Sequence, residues 1–264
     1  MCGIAGYSVS PESSVNRTLA AQALLAGIAE RGADAVGYAF RGAGRAVTVH
    51  KRRSGASALL EELSVPFEAT QALVHVRDYT KGHPTIEANN HPIRHGAVVG
   101  VHNGIIVNDE AIFARYGFDR AHPQMTVDSE AIFALADHAA GDVEALEELH
   151  GAMATAWLDE RVTSTVFLAR SVGRPLWIGT AARELFFAST RGALEVLQDT
   201  MRLTLRKREV AEGTLLRVQD GRVTAQARFR PDPSYVEETV LPAVRSPGEG
   251  ASCLRRLAAI ALAA

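Results

Sequence analysis

The apolar residues keep two rhythms along this chain. In "SPESSVNRTLAAQALLAGIAERG", Ala21, Leu24, Leu25 and Ile28 recur at the i, i+3, i+4, i+7 spacing that lines one face of a helix. Ser13 or Ser14 can cap its start and Gly32 can stop it. Elsewhere the period is near two. Residues 3 to 9 form a short strand, "AVGYAFRGAGRAVTVHKR" reads as two strands about a glycine turn, and "QALVHVR" is a strand with Arg77 at its end. "ALLEELSV" reads as a short helix, and residues 78 to 97, with Gly82, Pro84, Asn89, Asn90 and Pro92, as an irregular loop. "AVVGVHNGIIVN" is β-rich. "DSEAIFALADHAA" and "DVEALEELHGAMATAW" both follow helical spacing. "STVFLARS", "PLWIGT", "ELFFAST" and "GTLLRVQDGRVTAQAR" are strands, the last folded at Asp220-Gly221. Beyond Arg230 come prolines, a Gly-Glu-Gly and a small apolar helix.

Strands in runs with helices in pairs predict α+β layers: two sheets face to face with helices outside. The 264 residues suffice for a sizeable core. A net charge of −2 gives no footprint for nucleic acid or an anionic membrane. No apolar run approaches the roughly 20 residues of a membrane span. The two cysteines, Cys2 and Cys253, do not make a secreted framework, and no signal peptide is apparent. These features predict a cytoplasmic protein with reduced thiols.

Four positions carry candidate chemistry. Cys2 follows the initiator methionine, which is usually clipped before a small residue. Cys2 is then either a buried small hydrophobe or a terminal nucleophile whose own α-amine takes the thiol proton. That amine has a reference pKa of about 7.7 to 8.0, so a usable fraction is neutral near pH 7. Arg77 is a surface arginine or a planar fork for a substrate carboxylate. Asn103-Gly104 is a hairpin turn or a pair of donors for an oxyanion. Asp128 is a helix cap or the partner of a substrate ammonium. His91 and His95 are four apart, but Pro92 argues against a helix that would aim both at one metal.

Together these segments resemble class II glutamine amidotransferase domains, the N-terminal-nucleophile glutaminases. Carrying the resemblance are Cys2-Gly3-Ile4-Ala5-Gly6, Arg31-Gly32-Ala33-Asp34, His75-Val76-Arg77 with Thr80-Lys81-Gly82, and Asn89-Asn90-His91-Pro92. His102-Asn103-Gly104-Ile105-Ile106 and Val127-Asp128-Ser129-Glu130 complete it, in order, from Cys2 to about Arg228.

The resemblance implies a four-layer αββα sandwich over residues 2–228. Residues 229–264 are left as a C-terminal extension with a possible docking helix. It implies L-glutamine as substrate, no cofactor, no metal, and a γ-glutamyl thioester on Cys2. It implies Asn103 and Gly104 as the oxyanion hole and Arg31 as the residue that orients Cys2. Arg77 and Asp128 would take the two charges of the amino acid, with Thr80, Gly82 and His91 beside them. Ammonia would pass to a synthetase on another chain, since no such domain follows here. Two positions depart from the pattern: Asp78 stands where several members carry an aromatic residue, and Lys81 where some carry histidine. The other readings are an N-terminal-nucleophile hydrolase of another linear amide, and a regulatory domain that kept the fold without the catalysis.

Overall fold

The structure is a computed structural model and describes every residue except 43, 238–241 and 264. Along the chain run β1 (Gly3–Val9), α1 (Arg17–Ile28), β2 (Ala35–Arg41), β3 (Val47–Arg52), β4 (Gln71–Arg77), β5 (Ile93–His95) and β6 (Val98–Ile106). Next come α2 (Asp109–Tyr116), α3 (Glu130–Ala139), β7 (Gly151–Asp159), β8 (Thr165–Arg170), β9 (Trp177–Thr180) and β10 (Glu184–Ala188). The last elements are α4 (Arg191–Met201), β11 (Arg206–Glu209), β12 (Thr214–Gln219), β13 (Arg222–Arg228) and α5 (Pro247–Ala263).

Two antiparallel sheets form. One has the order β11-β9-β10-β1-β4-β2-β3, the other β13-β12-β8-β7-β6-β5. Alternation along each strand sorts its side chains between two layers. Ile4, Ala39, Leu73, Val99, Val101 and Leu158 meet between the sheets. On the outer face of the first sheet, Val74 and Val76 pack with Leu24, Leu25 and Ile28 of α1 and Leu194 and Leu197 of α4. On the outer face of the second, Ile106, Met153 and Trp157 pack with Ile132, Phe133 and Leu135 of α3. The layers are therefore α-β-β-α, as expected.

Three local expectations are corrected. The cap of α1 is Asn16, whose side chain accepts from the Leu19 amide at 3.0 Å. Ser13 instead donates to Glu184 at 2.5 Å and so fastens the loop before α1 to β10. "ALLEELSV" forms turns behind a short 3-10 segment at Ala56–Ala58, not a helix. "DVEALEELHGAMATAW" keeps helical character only as a 3-10 turn at Glu144–Glu148, and then becomes β7. Every residue of β7 is buried, with Met153 and Trp157 facing α3 and Ala154, Ala156 and Leu158 facing the other sheet. A strand apolar on both faces loses its alternation and reads as a helix. Helices α2 and α4 and the short strands β5 and β11 are additions to the expected elements.

Helix α5 begins earlier than its apolar core suggests, at Pro247. Its Cys253 and Leu257 join the cluster formed by α1 and the first sheet.

Candidate active site

Strand parity gathers the candidate residues at one end of the inter-sheet layer. Ile4 faces that layer, so Cys2 does too. Leu73 faces it, so His75 and Arg77 follow at the next alternate positions of β4. Val99 and Val101 face it, and Asn103 is next on β6. The register Gly3↔Val76 brings the start of β1 beside Arg77. Cys2, Arg77, Thr80, His91, Gly104 and Asp128 then line one small cavity, along with Lys81, His102 and Ser129.

The half-buried Cys2 thiol donates to the Asp78 carbonyl at 3.4 Å. Burial pushes its pKa up, and the backbone of Asp78 and the Arg77 charge only partly offset that rise. Arg31 reaches the same residue from behind, donating from Nε to the Cys2 carbonyl at 2.8 Å. The next residue, Gly32, packs against the end of β4: a Cβ there would lie 2.4 Å from the Arg77 carbonyl oxygen. The terminal ammonium of Met1 pairs with the Asp78 carboxylate.

Arg77 is buried and already engaged. It donates to Asn90 Oδ1 at 2.6 Å, to the Lys81 carbonyl at 2.9 Å, and to the Gly82 carbonyl. Asn90 in turn donates to the Pro84 carbonyl at 2.8 Å, so this arginine organises the loop after β4. Lys81 extends from that loop to Asp109 at the start of α2, with both carboxylate oxygens at 2.7 Å. Thr80 is exposed at the rim of the cavity. Gly82 lies outside the lining and serves as a backbone acceptor for Arg77.

Asn103 and Gly104 are not a hairpin. They pair with Ala154 and Met153 in mid-strand. Gly104 has φ +148°, and a Cβ there would fall 1.8 Å from the Ala152 carbonyl oxygen, so only glycine fits. Asn103 does not itself line the cavity, although its neighbours His102 and Gly104 do; it is fully buried, and neither amide atom has a hydrogen-bond partner. Native proteins rarely leave such a group unmatched, and sites that await a ligand are among the exceptions.

Asp128 does not cap α3; Ser129 holds that position. Its carboxylate accepts from the Ile106 amide at 2.7 Å, and burial pushes its pKa up to about 6. Three histidines back the site. His75 donates from Nε2 to the His102 carbonyl at 3.1 Å, tying the first sheet to the second next to Asn103. His102 accepts from Ser129 Oγ at 2.8 Å and donates to the Ala152 carbonyl at 3.3 Å. His91 stacks on His75 with ring centroids 4.2 Å apart, and neither of its nitrogens has a partner. Burial lowers the pKa of His75 and His102 to about 3, and that of His91 well below the usual value, so all three are neutral. His95 takes a separate partner, Glu130, at 3.0 Å.

Cys2 thus lies between two stacked sheets and shares one small cavity with the cationic Arg77 and the buried Asp128 carboxylate. Residues 80–196 match the family described as glutamine amidotransferase domain. The glutamine–fructose-6-phosphate aminotransferase (isomerizing) of Pseudomonas aeruginosa is 36% identical over 195 residues, which is 69% of this chain and 31% of that protein. Among solved structures, the glutamine phosphoribosylpyrophosphate amidotransferase of B. subtilis, complexed with ADP and GMP, superposes with a TM-score of 0.65 at 20% identity, covering 86% of this chain and 49% of that one. A glutamine aminotransferase class-II domain protein from Silicibacter pomeroyi superposes with a TM-score of 0.55 at 16% identity, covering 87% of this chain and all of that one. At those identities the structures speak to the fold alone. This chain carries a class II glutamine amidotransferase domain. It spans about a third of the length of the curated relatives first matched.

Proposed function

We propose that this chain is a glutaminase, with Cys2 as nucleophile once Met1 is removed. The observation that carries the reading is the convergence of Cys2, Arg77 and Asp128 on one cavity beside the unpartnered Asn103 amide. The α-amine of Cys2 takes the thiol proton, and Sγ forms a bond to the side-chain amide carbon of L-glutamine. The Asn103 side-chain N–H and the Gly104 backbone N–H receive the oxyanion. The C–N bond then breaks, the ammonium returns its proton to the leaving nitrogen, and ammonia departs. Water cleaves the γ-glutamyl thioester and restores the thiol. Arg77 takes the α-carboxylate and Asp128 the α-ammonium, a pair of opposite charges that selects an α-amino acid over other linear amides. Arg31, through the Cys2 carbonyl, fixes where the nucleophile sits.

Because the cavity is small and walled by Arg77, Thr80 and Lys81, glutamine enters by displacing the loop after β4. The acceptor of ammonia is proposed to be a synthetase site outside these 264 residues, on another chain; the curated relatives first matched are themselves more than twice as long as this chain. A thiol nucleophile suits a reducing compartment such as the cytoplasm. The test is intact-mass spectrometry before and after incubation with a glutamine-mimicking diazoketone. Loss of Met1 and a single adduct on Cys2 is the expected result. Loss of Met1 with no adduct, and no glutamate formed from glutamine, would overturn the glutaminase reading.

A further inference from the structure

Two residues beyond the proposed nucleophile, the start of β1 is held by a side chain from far along the sequence. β10 pairs with β1 from Val9 as far as Ala5, which lies opposite Ala188, and there β10 ends. At the next position the Ser189 amide still donates to the Ile4 carbonyl, at 2.8 Å. The return bond changes partner. The Ile4 amide donates to Ser189 Oγ at 2.9 Å, and that hydroxyl donates to the Ile4 carbonyl at 3.3 Å. Both residues are completely buried. The reason lies in the path of the chain. Thr190 caps α4, its side chain accepting from the Ala193 amide at 3.2 Å, so the chain leaves the sheet at Ser189. A hydroxyl one residue before the cap lets the chain turn away without stranding the Ile4 N–H, which would otherwise be buried and unpartnered.

On its other edge β1 is aligned by β4, with Gly3 opposite Val76. Gly3 has no slack: a Cβ there would lie 2.9 Å from both Ile28 Cβ and Val76 Cγ2. Arg31 grips the Cys2 carbonyl. We infer that Ser189 is a positioning residue, whose hydroxyl completes this frame on the β10 side and so fixes the direction in which the Cys2 thiol points. The inference rests on the glutaminase reading, in which Cys2 is the nucleophile. Ser189 does not line the cavity, and the two charges of glutamine fall to Arg77 and Asp128, which do. Loss of the hydroxyl therefore spoils the approach of sulfur to the amide carbon and leaves the binding of glutamine intact.

The test compares two neighbours in the full-length protein. S189A removes the bond to Ile4; T190A removes the cap of α4 and leaves that bond in place. S189C fills the space of the serine with a poor acceptor, so it reports loss of the bond without a void. S189A and S189C are expected to lower kcat for glutamine hydrolysis roughly tenfold to hundredfold, with KM held within about twofold. T190A is expected to lower the melting midpoint and keep kcat. Hydrogen exchange across residues 3–6 is expected to quicken in S189A and S189C and not in T190A. A native kcat in S189A and S189C, a loss matched by T190A, or a loss carried by KM alone would overturn the proposal. Exchange needs no turnover. A native chain that forms no glutamate would sink the glutaminase reading; quickened exchange in S189A would still show Ser189 holding the start of β1, and unchanged exchange would overturn that too.

Discussion

The two sheets bring unequal halves to the site. The first sheet contributes Arg77, a group that the protein has already satisfied. Arg77 spends its donors on Asn90, Lys81 and Gly82. From the second sheet comes a side chain with nothing to do: Asn103 is fully buried and makes no hydrogen bond with either amide atom. Groups on the first side stabilise the fold and the site together. Asn103 costs the fold something, because an unmatched buried amide forfeits about 1 to 3 kcal/mol of solvation. That asymmetry separates residues whose loss should be read as misfolding from those whose loss should be read as chemistry.

The sharpest break in the comparison is N103A. Loss of a donor of this kind costs about 10²- to 10³-fold in kcat, and the thermal midpoint should hold or rise, because no bond of the folded state is lost. Steady-state glutamate formation and a melting curve on the same sample check this. A clear fall in the midpoint would mean that Asn103 is structural.

D128N comes next, and pH sharpens it. The Asp128 carboxyl is pushed up to about 6 by burial, above its unfolded value. Its contribution to stability is therefore full below about pH 4 and is lost as pH rises through about 6. The ionised form costs the fold up to about 3 kcal/mol at neutral pH. D128N should melt higher than the native chain at pH 8 and much closer to it at pH 4. In the native chain KM for glutamine should rise as pH falls through about 6, since the ionised carboxylate is the form that pairs with an ammonium. Melting at the two pH values, with KM across that range, decides the matter.

K81M is the smallest expected effect. It removes the bidentate contact with Asp109, which still keeps Arg120 at 3.2 Å. Faster hydrogen exchange across residues 78–83 and a change in KM of roughly threefold are expected, with kcat little altered. Unchanged exchange would show that Lys81 does not restrain the loop.

Much of this was legible in the sequence. "QALVHVR" places Arg77 at a strand end, and Cys2 announces itself by position. The Asn103-Gly104 pair was ambiguous because the same dipeptide serves a hairpin and a strand glycine; only the strand partners Ala154 and Met153 decide between them. Strand β7 was hidden by being apolar on both faces. The partners of the site were harder still. Asn90, Asp109 and Ser189 are ordinary polar residues, and their roles depend on the contacts the fold brings to Arg77, Lys81 and Ile4. The quoted Asn89-Asn90 pair before His91-Pro92 was a signal for the first of these. Nothing local marks the other two.

The place of β1 has a consequence for how the protein is made. It lies between β4 and β10, and its residues Ala5 to Val9 pair with residues 184 to 188. At a synthesis rate of about 5 to 20 residues per second, roughly 9 to 35 s separate the emergence of β1 from that of its second neighbour. For that interval the strand that follows Cys2 has one edge open, and the end of the chain is accessible to an aminopeptidase that would remove the methionine. Sequence separation thus gives the ribosome a timing function: the proposed nucleophile is made first and enclosed late.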